Sequence, residues 1–244
     1  MPIVADKYRV REYLKEILGD KETRKILIPL LYVTDDPKTI PFDELPDEYI
    51  IKTNHASGWN IIVEKGTYIN RKKIIIQCGK WIREPYGFFK YEWAYQKIPR
   101  KIIIEKLLRD DYQNIPRDFK FYIFHGECKL VHVDSNRFSN HSRSLFDSSW
   151  NFLPVTLKFP QGPKVKKPFN YKQMVQLSEK LGRNFDFVRV DLYMINNKIY
   201  FGEFTHYPGS GMEKFNPQSF DFKLGENWKL ILNYWKNEKN TYCK

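Results

Sequence analysis

The sequence predicts an α+β protein with two β-rich lobes, and three observations lead to that prediction. Strand-like segments, in which apolar and polar residues alternate with a period of two, occur mostly in pairs joined by short turns. Helix-like segments separate these pairs, so the order of elements is mixed. With 244 residues and no internal repeat, the chain is long enough for one large domain or two small lobes.

The first part of the chain reads as a helix, a strand, a loop and a hairpin. Apolar residues at helical spacing in residues 6–18 predict a helix that ends at Gly19. The apolar run at residues 26–33 predicts a short strand or connector, and a Pro- and Asp-rich loop follows it. Strands are predicted at residues 49–52 and 60–64. The loop of small and polar residues between them could close over phosphates or be an ordinary hairpin loop.

The middle and the end of the chain add further elements. Four of them are a helix at residues 69–83, a strand at 100–108, a β-hairpin at 118–138 and an amphipathic helix at 171–182. The hairpin ends in a polar, cationic loop, residues 134–143, and loops of this kind often bind ligands. Residues 154–169 predict a Pro- and Lys-rich connector, and residues 228–235 predict a C-terminal amphipathic helix.

Composition limits the partners and the cellular compartment. Lysine and arginine total 41 against 29 acidic residues, a net charge of +12. This charge implies an anionic partner: nucleotide phosphates, nucleic acid, an acidic polysaccharide or a membrane surface. The three cysteines are widely spaced and predict neither a disulfide framework nor a zinc site. The N-terminus lacks the apolar core of a signal peptide, so we expect a cytoplasmic protein.

One stretch, residues 185–211, concentrates the charged residues that could perform chemistry. It reads as a β-hairpin with an Asn-Asn turn at residues 196–197, because asparagine tolerates the positive φ of a tight turn. The pairing brings Asp191 near Glu203, with Arg189 on the same face as Asp191. Two carboxylates and a cation suit a magnesium ion that carries phosphates, and a solvated cross-strand ion cluster has the same composition.

Three kinds of enzyme compete to explain this stretch. The segment RVDLYMIN superficially resembles a kinase catalytic loop, but no Gly-rich loop opens the chain and Asn196 is needed for the turn. A metal-dependent glycosyltransferase would suit a basic protein, although the chain contains no Asp-x-Asp. An ATP-dependent ligase, with Mg-ATP between two β-rich lobes and the acids of a hairpin holding the metal, accounts for most of the pieces.

Six motifs, which together span residues 6 to about 230, carry a family resemblance: DKYRVREYLKE, FDELPDEYIIKTNHASGWN, PRKIIIEKLL, IPRDFKFYIFHGE, HVDSNRFSNHSRSLFD and FVRVDLYMINNKIYFGEFTHYPGSGMEKFNP. Through them the chain resembles the ATP-grasp superfamily, in its TupA-like branch, which is associated with teichuronopeptide biosynthesis. The resemblance implies two β-rich lobes with ATP held between them. Residues 1–98 would form the N-terminal region and first lobe, 99–111 the inter-lobe hinge, and 112–244 the second lobe.

The resemblance also implies the ligands of ATP and Mg²⁺. ATP would be bound by Lys52 at the phosphates, by His55, Ser57 and Gly58 in a flap, by Glu105 and Leu108 at adenine, by Asp110 or Asp111 at the ribose, and by Lys120 and Arg189 at the triphosphate. Asp191 and Glu203 would hold Mg²⁺. Many ATP-grasp enzymes have an asparagine two residues after that glutamate, where this chain has Thr205, a weaker metal ligand.

The implied reaction is ATP-dependent formation of an amide through an acyl phosphate. Lys120 and Arg189 would be catalytic, because they offset charge on the transferred phosphoryl group. The family suggests a uronic acid of a capsular or other surface polysaccharide as the anionic saccharide, an amino acid or small amine as co-substrate, and no nucleic acid. The residues left for the acid and the amine are Asp134, Arg137, Asn140, His141, Arg143, Tyr207, Gly209 and Ser210.

Two expectations concern the protein beyond this reaction. Family members carry a further segment before the motif at Asp6, so part of the N-terminal subdomain is expected to be missing or supplied by a partner. The resemblance leaves open a peripheral association with a membrane or a biosynthetic complex. A degenerate ATP-grasp module that binds an anionic glycan or nucleic acid stays open as a non-enzymatic alternative.

Overall fold

The computed structural model describes residues 1–110, 112–135 and 140–229. The chain divides into two compact units, the first being Met1–Leu108 and the second beginning at Arg109. Each unit contains helices packed against an antiparallel sheet, which agrees with the predicted α+β class. Among the described residues, no helix combines the length and the hydropathy that crossing a bilayer requires.

The first unit is built around a four-stranded sheet. In chain order its elements are α1 (Pro2–Ala5), α2 (Val10–Leu18), α3 (Asp20–Ile26), β1 (Leu30–Thr34), a 3₁₀ turn (Pro37–Thr39), β2 (Tyr49–Thr53), β3 (Asn60–Val63), α4 (Arg71–Arg83), α5 (Trp93–Gln96) and β4 (Ile102–Lys106). The strands lie in the order β1-β4-β2-β3, and each neighbouring pair is antiparallel. Strand β4 therefore pairs on both sides within this sheet.

Helix α4 covers the sheet of the first unit. Its buried residues Ile74, Cys78 and Trp81 recur at helical spacing and join a core cluster with Ile51 and Ile104 of the strands. The Asn70 side chain caps the helix by accepting a hydrogen bond from the Lys73 amide at 2.9 Å.

The second unit is built around a six-stranded sheet. In chain order its elements are β5 (Asp118–Phe124), β6 (Glu127–Ser135), β7 (Ser142–Phe146), β8 (Phe152–Leu153), β9 (Thr156–Leu157), α6 (Tyr171–Gly182), β10 (Phe187–Ile195), β11 (Lys198–Thr205), a 3₁₀ turn (Pro208–Gly211), β12 (Phe215–Asn216) and α7 (Gln218–Gly225). The large sheet has the order β11-β10-β5-β6-β7-β8, and β9 pairs with β12 in a small separate sheet.

Alternation along the central strand β5 gives the large sheet two different faces. Phe121 and Ile123 face α6. The ring of Tyr171 stacks on Phe121, and Gly182 lies against Ile123. Lys120 and the residues two apart from it point to the opposite face. That opposite face carries the charged residues described below.

The structure refines several predicted elements. The helix at residues 171–182 and the hairpin turn at 196–197 are confirmed, the turn residues having φ of 50° and 60°. The predicted connector at residues 154–169 contains strand β9, which pairs with β12. The sequence analysis did not predict α3 or α7. The C-terminal helix predicted at residues 228–235 lies mostly outside the described residues.

Candidate active site

The β10–β11 hairpin presents two carboxylates on one face because its ladder contains a β-bulge. The pairing of the two strands is regular from the turn to Leu192, which lies opposite Phe201. Both of these side chains are buried. The next pair is Asp191 opposite Glu203, so Gly202 is the extra residue of β11. A Cβ at position 202 would lie 3.0 Å from the backbone oxygen of Asp191, which favours glycine there. Without the bulge, Glu203 would turn toward the buried face.

A buried cluster of charges surrounds Asp191. Lys120 Nζ lies 2.8 Å from Asp191 Oδ2 and also pairs with Asp118. Arg189 donates to the same carboxylate through both Nε, at 2.7 Å, and Nη2, at 2.8 Å. The Arg189 Nη2 group also donates to the Thr205 hydroxyl at 2.9 Å. The site therefore fixes two cations around one carboxylate.

Both cations stay charged at neutral pH. Burial alone would lower the pKa of Lys120, but the carboxylates of Asp191 and Asp118 outweigh it and raise that pKa. Burial likewise opposes the charge of Arg189, and Asp191 again outweighs it, so the pKa of Arg189 is raised. A ligand with several negative charges would meet two permanent positive charges on this face.

Asp191 and Glu203 fit a magnesium ion that arrives with a nucleotide. Glu203 has 31% of its side chain exposed, so its carboxylate is accessible from solvent. Among the described residues, no group of three or more His, Cys, Asp and Glu side chains could hold a metal alone. Mg²⁺ bound with phosphates needs only one or two protein carboxylates, because phosphate oxygens and water supply the rest. Thr205 lies beside the pair, with its hydroxyl already bonded to Arg189.

A second charge network, centred on Asp134, lies on the same face of the sheet. Its Oδ1 atom accepts hydrogen bonds from His132 Nε2 at 2.8 Å, His141 Nε2 at 3.0 Å and Arg143 Nε at 2.9 Å. Arg143 Nη1 continues to Glu213 Oε2 at 2.9 Å. Burial lowers the pKa of His132 to about 3, so this imidazole is neutral and donates through Nε2. Burial would raise the pKa of Asp134, but His132 and Arg143 outweigh it and lower that pKa.

Within this network Arg143, one of the residues predicted for the substrate acid or amine, has partners inside the protein. Only 7% of the Arg143 side chain is exposed, and its donors already serve Asp134, Glu213 and the Leu157 carbonyl. Asp134 is equally enclosed, so it positions other side chains and has no free face for a ligand. His141 is half-buried rather than a free surface histidine, because its ring stacks on Phe159 at 3.8 Å.

Five other residues were predicted to bind the acid or the amine, and the structure describes four of them. Arg137 lies outside the described residues, and Asn140 is exposed beside that gap. Gly209 has φ of 55°, and a Cβ there would overlap the Glu213 side chain, so glycine is required. Ser210 follows it in the same 3₁₀ turn and, like Tyr207, lines a cavity.

That cavity lies within the second unit and has a volume of about 260 Å³. Aromatic and aliphatic side chains from the sheet and from α7 form most of its wall, and His206, Glu213 and Asp221 add polar groups. His206 is 7% exposed, and neither of its ring nitrogens has a hydrogen-bond partner among the described residues. The ring contributes to the cavity wall, while both of its nitrogens lie below the surface.

In the first unit, Lys52 and Glu105 form an ion pair. Lys52 Nζ lies 2.6 Å from Glu105 Oε2, and Arg11 Nη2 lies 2.9 Å from Glu105 Oε1. The pair joins neighbouring strands, since Lys52 is on β2 and Glu105 on β4. The two residues that the resemblance assigns to phosphate and adenine are therefore adjacent. Leu108, also assigned to adenine, is the last residue of this unit.

The loop at residues 54–59 is fixed at its base by Asn54. Its Nδ2 group donates to Asp6 Oδ1 and to the Pro99 carbonyl, both at 2.9 Å. Lys7 Nζ donates to the Ala56 carbonyl at 3.0 Å. These contacts join the loop to the start of the chain and to the segment before β4. They give a structural role to the Asp6-Lys7 motif.

The predicted flap residues separate into a buried base and an exposed tip. His55 is 1% exposed, and burial together with Arg100 and Lys7 lowers its pKa to about 4. Its ring is neutral and enclosed at the base of the loop. Ser57 and Gly58 are exposed at the tip, and the φ of +77° at Gly58 requires glycine.

Of the two residues predicted to bind the ribose, the structure describes Asp110. Asp110 Oδ1 accepts hydrogen bonds from the backbone amides of Tyr112 at 2.9 Å and Asn114 at 2.8 Å, so it stabilises a turn. Asp111 lies outside the described residues.

Several residues that shape the site were not predicted from the sequence. Asp118 could have been found, because it lies two residues before Lys120 on a strand and hence on the same face. His132 could have been found in the same way from Asp134. Glu213 and Asn54 act through partners distant in sequence, and no local pattern marks them.

Comparisons with known proteins identify the fold and the family. A family model described as TupA-like ATPgrasp matches residues 2–229. D-alanine–D-alanine ligase from Bacillus anthracis has a similar solved structure, with a TM-score of 0.52 and 16% identity over 95% of this chain and 66% of that chain. An L-amino acid ligase from Bacillus licheniformis has a TM-score of 0.51 and 12% identity over 84% of this chain and 44% of that chain.

The structural comparisons and the family model support different conclusions. At such low identity the structural likeness shows the fold alone, and the chain spans at most 66% of the length of these two ligases. A search of the curated proteins finds no match. The family model covers nearly all of the described residues, and the shared fold confirms the ATP-grasp prediction. The chain belongs to the TupA-like ATP-grasp family.

Proposed function

We propose that this protein is an ATP-dependent carboxylate–amine ligase that uses Mg²⁺. The observation that carries the proposal is the face of β10 and β11, where Asp191 and Glu203 lie opposite each other beside two permanent cations, Lys120 and Arg189. Metal-binding carboxylates beside fixed cations suit a polyphosphate that arrives with its metal. Membership of the ATP-grasp family supports the same nucleotide.

Each charged residue has a distinct role in this proposal. Lys120 and Arg189 offset the charge that develops on the transferred phosphoryl group, and Asp191 keeps both in place before the nucleotide arrives. Asp191 and Glu203 hold Mg²⁺, which when bound neutralises phosphate charge. Lys52 contacts the phosphates, and the exposed tip at Ser57 and Gly58 closes over them through backbone amides.

The reaction forms an amide in two transfers. A substrate carboxylate attacks the γ-phosphorus of ATP, the bond to the β-phosphate oxygen breaks, and ADP leaves an acyl phosphate behind. An amine then attacks the acyl carbon, loses a proton and displaces inorganic phosphate. This reaction requires no covalent nucleophile from the protein, because positioning and fixed charge suffice for phosphoryl transfer.

We propose a uronic acid of a surface polysaccharide as the carboxylate and an amino acid or small amine as its partner, in the cytoplasm where ATP is made. The net charge of +12 favours an acidic glycan. The cavity beside the sheet suits the amine, because the carboxylates of Glu213 and Asp221 lie at its wall and His206 offers an unpartnered nitrogen. No residue described here favours a glycosyltransferase.

Nucleotide binding is tested by thermal denaturation with and without Mg-ATP. We expect Mg-ATP to raise the melting temperature of the natural protein, and a chelator or Glu203→Gln to abolish the rise. Glu203 is the better target because Asp191→Asn would leave Lys120 and Arg189 buried without their shared counter-charge. Glu127→Gln, an equal change at an exposed carboxylate, is the control and should keep the rise. No rise at millimolar ATP would favour the non-enzymatic binding module.

The substrates are tested by coupling ADP release to a screen of uronic acids paired with amines. We expect ADP release to require both partners, and an amide product to appear by mass spectrometry. ATP binding without ADP release for any pair would leave the nucleotide site intact and contradict the proposed acid.

A further inference from the structure

A short loop of the first unit, residues 87–92, has a defined shape; we name it the aromatic loop. The Glu92 amide donates to the Gly87 carbonyl at 2.9 Å and closes the loop, and Gln96 Nε2 donates to the same carbonyl at 3.2 Å. Gly87 has φ of +82°, and a Cβ there would lie 2.6 Å from the Glu92 carbonyl oxygen. Only glycine permits this closure.

The base of the aromatic loop is anchored in the core of the first unit. Glu92 is 6% exposed, and Ala94 is fully buried. Tyr86, just before the loop, packs edge-on against Trp59 at 5.4 Å and Tyr95 at 5.5 Å between ring centroids. The loop is thus a fixed projection of the folded unit.

The tip of the loop exposes three aromatic side chains within four residues. Phe89 is 97% exposed, Tyr91 88% and Phe88 59%. Aromatic rings lose favourable burial when they stay in water, and clustered exposed rings mark interaction surfaces.

Positive charge surrounds the tip in sequence. Helix α4, which ends four residues before Gly87, carries five basic residues and no acidic one, with Lys80 and Arg83 in its last turn. Lys90 stands exposed within the loop, and Lys97 is exposed just after it. Two acidic residues accompany these basic ones: Glu84 is exposed, and Glu92 is buried. Residues 71–97 thus carry seven basic and two acidic side chains, a balance that favours an anionic partner.

We propose that the aromatic loop inserts into the surface of an anionic membrane. Phenylalanine favours the boundary of the hydrocarbon, tyrosine favours the interface, and nearby lysine and arginine attract anionic headgroups. An anionic polymer that stacks on these rings would cover one face of each ring and leave the rest in water. A bilayer encloses the ring by itself. The proposal holds whether the protein is a ligase or a binding module.

The test uses the full chain and vesicle flotation. We expect it to float with vesicles containing phosphatidylglycerol, much less with phosphatidylcholine alone, and less at high salt. The double substitution Phe88→Ser and Phe89→Ser should weaken partitioning by about tenfold or more. Phe169→Ser, a change at a phenylalanine of the second unit that is 85% exposed, is the matched control and should bind as the natural protein does.

Four results would overturn the proposal. They are an absence of binding to either vesicle, binding that survives the double substitution, binding to heparin with the same dependence on Phe88 and Phe89, and self-association by ultracentrifugation that the double substitution removes. The last two would assign the loop to an anionic polymer or to a second copy of the chain. An unchanged melting temperature of the double variant, and an unchanged response to Mg-ATP, would show that folding and the nucleotide site are intact.

Discussion

At the scale of single residues, burial decides which charged side chains can meet a substrate. Arg143 and Arg189 are both arginines on strands, both nearly enclosed, and both paired with an aspartate. Arg189 shares its face with the more exposed Glu203, whereas Arg143 is held between Asp134 and Glu213. We therefore interpret Arg189 as a residue that faces the ligand and Arg143 as one that supports the fold.

This interpretation predicts the effect of Arg143→Ala. The substitution leaves the carboxylates of Asp134 and Glu213 without their shared cation, so we expect the free energy of unfolding to fall by about 3–5 kcal/mol. Urea denaturation measures the loss. Lys158→Ala is the control, since Lys158 also pairs with Glu213 but is 53% exposed, and it should cost at most about 1 kcal/mol. The interpretation would be contradicted if both variants were equally stable and only Arg143→Ala raised the Michaelis constant for the acid. That result would assign Arg143 to substrate binding.

At the scale of elements, close approach of α6 to the large sheet depends on Gly182. A Cβ at this position would lie 2.7 Å from Ile123 Cγ2 and 2.9 Å from Ile123 Cβ, inside van der Waals contact. Ile123 is fully buried in β5, so it has no open space into which to move. The helix therefore packs on the strand only with glycine at its end.

Gly182→Ala should accordingly destabilise the second unit. We expect a loss of about 1–3 kcal/mol in the free energy of unfolding, because the added methyl group overpacks the contact between α6 and β5. Gly225→Ala is the matched control: it is also the last residue of a helix, and no atom lies within 4 Å of its added Cβ. A loss of the same size in both variants would contradict the steric explanation.

The elements themselves were largely predictable, whereas their long-range contacts were not. Period-two alternation and the Asn-Asn turn predicted the β10–β11 hairpin, and helical spacing with a terminal glycine predicted α6. The burial of His55 depends on how a loop packs within the unit, and the pairing of Arg143 with Glu213 joins residues far apart in the chain. Local patterns carry no information about such contacts.

At the scale of the whole molecule, each unit buries a neutral histidine. Burial lowers the pKa of His55 to about 4 in the first unit, and it lowers the pKa values of His132 and His206 to about 3 in the second. The unfolded chain binds protons at these sites near the ordinary pKa of about 6.5. Below that pH the unfolded state takes up protons that the folded state does not, so stability is full above it and falls with acidification.

We therefore expect stability to decrease between pH 7.5 and pH 5. Each of the three histidines should contribute a loss of about 2 kcal/mol at pH 5, because the slope is about 1.4 kcal/mol per pH unit per proton. Denaturation at both pH values measures the loss, and His55→Asn should reduce it by the share of one histidine. Equal stability at both pH values would contradict the assignment.

The bulge at Gly202 has a consequence for how this hairpin can change over time. Beyond that glycine the pairing register of the two strands shifts by one residue. This shift turns the Glu203 side chain toward the face that carries Asp191. If Gly202 were deleted, Glu203 would follow Phe201 directly in a regular ladder and would still pair with Asp191, so the two carboxylates would stay on one face. If the bulge closed with every residue kept, Glu203 would instead pair with the fully buried Val190 and leave the charged face. The site therefore depends on the pairing register beyond Phe201, and a change in length that keeps this register keeps the site.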